Sequence, residues 1–125
     1  MRYTLLLHYA EEDSSTLGPE AIQAGMEAFA AYAAALEQAR VLISGEVLQP
    51  SILTTTLRVR GGATQIQDGP YAETKEQIGG IIVIEVSDLD DAIEWARQAP
   101  PAHWGAVEIR PGATHTVEGT WVTHE

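Results

Sequence analysis

Ile81-Ile82-Val83-Ile84 is an uninterrupted β-branched run inside a chain of 125 residues. With no polar residue at alternate positions, neither side of the run is suited to water, so it predicts a strand in the middle of a sheet, covered on both faces. The preceding pair, Gly79-Gly80, would let the backbone come close to a ligand or to a partner subunit, and close strand packing explains the pair equally well. On the other side, Ser87 is read as a helix cap with Asp90 three residues on, and Asp88 and Asp91 add negative charge where the helix dipole is positive. Leu89, Ala92, Ile93 and Ala96 give that helix its apolar stripe, and Pro100-Pro101 stops it. Ala106-Val107-Glu108-Ile109-Arg110 then alternates as a strand closed by Pro111-Gly112.

Towards the N-terminus, residues 2 to 10 form a short, largely apolar run that predicts a second central strand. A polar stretch from Glu11 to Gly18 leads to Pro19, which suits the first turn of a helix because its missing N–H would be an orphan there. Ile22, Met26, Phe29, Ala33 and Leu36 recur at helical spacing and are expected to be core. Val41 to Leu48 reads as a strand in which Gly45 suggests a bulge or close backbone approach just before Glu46. Thr54 to Arg60 and Ala63 to Gln67 form a hairpin around Gly61-Gly62. Its first strand is expected to be polar on the Arg58 and Arg60 side and to pack on the Leu57 and Val59 side. Asp68-Gly69-Pro70 ends the hairpin as a turn.

Strand, long helix, strand, hairpin, strand, short helix, strand is the order of an α+β ferredoxin-like sandwich with an inserted β-hairpin and both helices on one face. The other sheet face needs a cover, and a second copy of the same face is the economical one, so a homodimer is expected. The domain spans residues 1 to 112. In the tail, 113 to 125, Thr116, Val117, Trp121 and Val122 could add a strand or cover a partner.

A mass of 13.5 kDa fits one core, and no Ser/Gly/Pro-rich linker divides the chain. Eighteen acidic against seven basic residues give a formal charge of -11, which repels phosphate backbones and anionic headgroups, so neither nucleic acid nor membrane is an expected partner. The absence of cysteine removes disulfides, thiolate metal sites and cysteine nucleophiles. The apolar run after Arg2 is too short for a signal peptide, and none approaches the roughly 20 residues that span a bilayer, so the cytoplasm is the expected location.

Asp68-Gly69-Pro70-Tyr71-Ala72-Glu73-Thr74-Lys75-Glu76-Gln77 with Gly79-Gly80, supported by the Leu-rich first strand, Ser44-Gly45-Glu46 and Val107-Glu108-Ile109-Arg110-Pro111, resembles the YCII-related, or DGPF-domain, family over most of residues 1 to 111. Tyr71 stands where the family's name motif has Phe. The resemblance implies a ferredoxin-like subunit paired sheet to sheet in a dimeric α+β barrel. Most members have no assigned activity. A few relatives resemble cofactor-independent lyases acting on small cyclic compounds, related barrels include isomerases and monooxygenases, and some members are encoded near alternative sigma factors.

His8 shares a strand face with Leu6 and Thr4, and on a cavity-lining face it would be a proton-transfer group; otherwise it is a satisfied sheet histidine. Glu46 and Arg58 could enter the same cavity from neighbouring strands and, with His8, hold and deprotonate a small acidic or phenolic substrate. Asp68 reads as a general base or as the cap of its own turn. Lys75, the only lysine, lies between Glu73 and Glu76 and reads as an anion contact or a solvated ion pair worth about 0 to 1 kcal/mol. Tyr71 and Glu76 complete the expected substrate-binding set. His103, His115 and His124 lack ligand spacing, and no nucleotide-binding or serine-hydrolase motif occurs, so no metal or cofactor is expected. Two functions follow: a lyase or isomerase working by acid and base groups in a dimer cavity, or a non-catalytic dimeric module binding a small ligand or a regulatory protein, linked to alternative sigma factors. A purely structural dimer explains the polar motif least.

Overall fold

A computed structural model describes residues 1–11 and 17–123. His124 and most of the polar stretch before Pro19 lie outside the described residues. Ten regular elements follow one another: β1 (Arg2–Tyr9), α1 (Pro19–Gln38), β2 (Leu42–Val47), β3 (Thr55–Arg60), β4 (Ala63–Asp68), β5 (Gln77–Glu85), α2 (Leu89–Gln98), β6 (Ala106–Pro111), β7 (Thr114–Val117) and β8 (Thr120–Thr123). The fold is α+β, with two helices and antiparallel sheets. Among the described helices none is long and apolar enough to cross a membrane.

The main sheet runs β2-β5-β1-β6, so the two runs expected at its centre are there. It is open, with β2 and β6 as edges, and no closed barrel forms among the described residues. On one face Tyr3, Leu5 and Leu7 of β1 join Ile82 and Ile84 of β5, Tyr32 and Leu36 of α1, and Ala92 and Ala96 of α2 in a single core. Leu5, Leu7, Leu36 and Ile84 are fully buried, each contributing about 1.5–3 kcal/mol of transfer free energy. Tyr32 fastens one helix to the other by donating its phenol to the carbonyl of Trp95 at 2.7 Å, and burial pushes that phenol's pKa up to about 12.

Antiparallel register places Thr4 opposite Val83 and Leu6 opposite Ile81 on the other face. These side chains are half-buried, and among the described residues no layer lies over them, so the expected cover on both sides of β5 exists there only on the helix side. Of the α1 stripe Leu36 is buried and Phe29 packs partly against the core, whereas Ala33 is exposed and Met26 is 63% exposed. Tyr32, outside the stripe read from the sequence, takes the buried position.

Three local readings change. The cap of α2 is Asp88, whose carboxylate accepts from Asp91 N–H at 2.9 Å, and not Ser87; the Pro100-Pro101 pair does end the helix, as a 3-10 turn over Pro100–His103. In β2 the register slips between Leu42 and Ser44, so the bulge falls at Ile43 and Gly45 sits in ordinary contact with Ile82. Gly61 and Gly62 do turn the β3–β4 hairpin with positive φ of 57° and 78°, but its polar side faces the chain. The Leu57 and Val59 side, expected to pack, is bare, those residues being 59% and 54% exposed. The tail makes a hairpin of its own, β7–β8, turning at Glu118-Gly119.

Candidate functional site

His8 stands at the end of β1 on the uncovered sheet face, opposite Ile78 of β5 and Ala106 of β6. The chain returning into β6 passes so close that a Cβ at Gly105 would collide with the carbonyl oxygen of His8, which is why a glycine is needed there. His8 Nε2 lies 3.0 Å from Oε1 of Glu108, and Arg110 Nη2 donates to the other carboxylate oxygen at 2.9 Å. The hydrogen bond from His8 holds the Glu108 carboxyl below the usual glutamate value, partial desolvation opposing it and Arg110 reinforcing it. An ionised carboxylate only accepts, so Nε2 carries the proton towards Glu108, and in the neutral imidazole Nδ1 then holds the lone pair.

Beside His8, two glycines let strands close up. A Cβ at Gly79 would strike the ring of Tyr9, whose hydroxyl donates to Gly79 O at 3.1 Å. Burial, with help from the charge of Glu11, raises the Tyr9 phenol's pKa, and the ring meets Trp104 edge-on with centroids 5.1 Å apart. At Gly80 a Cβ would press on Leu7 and on the carbonyl of Glu46. Packing within the sheet, among the alternatives open for this pair, accounts for both: the Tyr9 ring at Gly79 and the close approach of β1 and β2 at Gly80.

The segment from Asp68 to Gln77 is held by its own hydrogen bonds and by β3. Gly69, at φ 112°, donates its N–H to Thr54 O at 2.7 Å, and the Thr56 hydroxyl donates to Gly69 O at 2.8 Å. Thr74 Oγ1 donates to Glu76 O at 2.6 Å, while the Gln77 amide donates to Ala72 O at 3.1 Å and Thr74 O at 3.2 Å. Among the described residues the Asp68 side chain makes no capping bond, so the turn stands on Thr56, Thr74 and Gln77 instead. Between this segment, the end of β2 and the start of β3 opens a cleft of about 600 Å³. His8, Tyr71, Thr74 and Glu76 line it along with apolar side chains such as Leu48, Leu53 and Ile78.

Residues 1–112 match the model of the YCII-related domain. The chain belongs to the YCII-related family. It is similar to an uncharacterized protein of Rhizobium meliloti (strain 1021), with 33% identity over 117 residues that cover 92% of this chain and 94% of the relative. The β7–β8 hairpin lies beyond the YCII-related match.

Set on this YCII-related domain, the residues singled out in the sequence fall into groups. His8, Tyr71 and Glu76 share the cleft. Asp68 and Glu73 line an adjoining depression of about 360 Å³ that has Pro70 and Gln77 in common with it. The guanidinium carbon of Arg58 lies over the Tyr71 ring, 5.0 Å from its centroid, and so reaches the cleft's rim. Lys75 lines neither and is exposed. Glu46 does share the His8 face, but it pairs with Ile81 on edge strand β2, with β5 between it and β1. A His-carboxylate-Arg group is present, built from Glu108 and Arg110 in place of Glu46 and Arg58. Alternation along residues 106 to 110 already puts Glu108 and Arg110 on one face; the pairing of β6 with β1 brings them to His8. Among the described residues no three His, Cys, Asp or Glu side chains converge as a metal site.

Proposed function

We propose that this YCII-related protein is a cofactor-independent acid–base enzyme of lyase or isomerase type, acting on a small cyclic or acidic molecule. His8 is the proton-transfer group. The observation that carries the reading is the imidazole lining a cleft of about 600 Å³ while Glu108 holds its Nε2 at 3.0 Å. Nδ1 accepts a proton from the substrate, the Glu108 carboxylate stabilises the imidazolium, and the proton returns to a different atom or leaves with a departing group. Glu76 and Tyr71 contact the substrate from the motif, and Asp68 acts from the adjoining depression.

The strand order supports a ferredoxin-like subunit, with β3–β4 as the inserted hairpin. A second copy covers the bare face, pairing through Leu6, Ile81 and Val83, closes the cleft into a dimer cavity and brings a partner's side chains, among them Glu46 or Lys75, within reach of substrate.

Incubation in D₂O with a panel of cyclic ketones, lactones and phenols, followed by proton NMR, tests the chemistry. The expected result is carbon-bound deuterium that appears with wild type and falls about 10²–10⁴-fold in His8→Gln. Exchange that is equal in the variant removes His8 from the role. Binding of panel members without any exchange overturns the enzyme reading in favour of a ligand-binding module.

A further inference from the structure

We infer that the cleft takes a planar ring bearing a carboxylate, with Arg58 as the group that recognises the anion; this names the substrate class of the site proposed above and rests on that reading for the location of the cleft. Thr56 and Arg58 are two apart on β3 and therefore point to the same side. Thr56 lines the cleft and bonds Gly69 O, so that side faces the motif. There the Arg58 guanidinium lies 5.0 Å from the centroid of the Tyr71 ring, itself a lining group. A cation held over a ring makes no hydrogen bond to it, so the guanidinium N–H groups stay available to a carboxylate, which they match bidentately.

Charge makes this arrangement informative. The chain carries 18 acidic residues against 7 basic, so an arginine has a surplus of carboxylates available to it. Arg2, Arg97 and Arg110 each take one, Glu85, Glu94 and Glu108 respectively. Arg58 pairs with none among the described residues, although it is half-buried. Arg60, next on the same side of β3, spends an N–H on the carbonyl of Val59 at 3.0 Å, and it too is without a carboxylate among the described residues. Two cations thus stand on the strand face that meets the motif, Arg58 at the rim of the cleft and Arg60 two residues beyond it, in a protein whose overall field repels anions. Such a pair gives a local attraction that admits a carboxylate. The apolar lining of Leu53 and Ile78 and the Tyr71 ring suit a flat body behind it.

Benzoate and its uncharged isostere benzamide separate recognition of the anion from recognition of the ring. Dissociation constants from NMR titration of wild type, Arg58→Gln, Arg58→Lys and His8→Gln are expected to show benzoate bound about tenfold or more tighter than benzamide. Arg58→Gln is expected to weaken benzoate about 10- to 100-fold and leave benzamide unchanged, and Arg58→Lys to restore only part of the loss. An arginine that merely props up Tyr71 would lower both ligands alike, and that outcome overturns the inference. Equal binding of the two compounds to wild type overturns it as well, as does binding of neither at millimolar concentration. His8→Gln is expected to keep the benzoate preference, and absence of deuterium exchange in wild type with that preference intact sinks the enzyme proposal and leaves the anion site standing.

Discussion

Glu108 shows what a neighbouring side chain does to one carboxyl. Its acidity is increased chiefly by the hydrogen bond from His8, so in the folded protein it ionises below the ordinary glutamate value of 4.5. The Glu108 carboxylate, hydrogen-bonded by His8 and paired with Arg110, therefore adds stability at pH above that value and loses it as pH falls through the lowered folded one. Titration of the Glu108 carboxyl by carbon NMR is expected to give a midpoint below 4.5 in wild type and to move up in His8→Gln; a midpoint indifferent to His8 would contradict the assignment. Gly79 makes a second case, since its missing side chain leaves room for the Tyr9 ring. Gly79→Ala is expected to cost about 1–3 kcal/mol in urea unfolding, with part recovered in the double variant that adds Tyr9→Leu. Neither effect is visible residue by residue in the sequence. A Gly-Gly pair beside an apolar run invites several explanations, and only the ring across the strand selects one.

Elements were more legible than their ends. Hydrophobic period and Pro/Gly punctuation place both helices and the strands of the main sheet, because burying one face of a strand or helix requires that pattern locally. Caps are finer: Ser87 and Asp88 are both good capping types, and the chain's entry angle chooses Asp88. Asp88→Ala is expected to cost about 1 kcal/mol by thermal unfolding, and Ser87→Ala less than about 0.5 kcal/mol. The β3–β4 hairpin reverses its expected orientation for a related reason. Alternation tells which residues share a face, not which face the remainder of the chain will meet. Arg58 and Thr56 meet the motif, leaving Leu57, Val59 and Ile66 in water.

At the scale of the whole molecule, the bare half of the main sheet is the dominant feature. Leu6, Ile81 and Val83 lie in a patch that none of the described residues covers, with the Arg2–Glu85 ion pair at 3.3 Å at its far end and the His8–Glu108–Arg110 group near the other. Sedimentation of wild type at micromolar concentration is expected to give twice the 13.5 kDa chain mass, and Val83→Lys to give the single-chain mass with little change in far-UV circular dichroism. A wild-type species of 13.5 kDa alone would remove the sheet-to-sheet pairing. By itself the sequence determined the α+β class, the two central strands, the turn at Gly61-Gly62 and the family, because periodicity and turn chemistry act between near neighbours. Tertiary structure alone decided that Glu108 and Arg110, five strands along the chain from β1, stand beside His8 while Glu46 does not, and that Arg58 faces the motif. Those placements depend on which strands pair and in what register, and contacts between residues about a hundred positions apart leave no periodic trace in a single sequence.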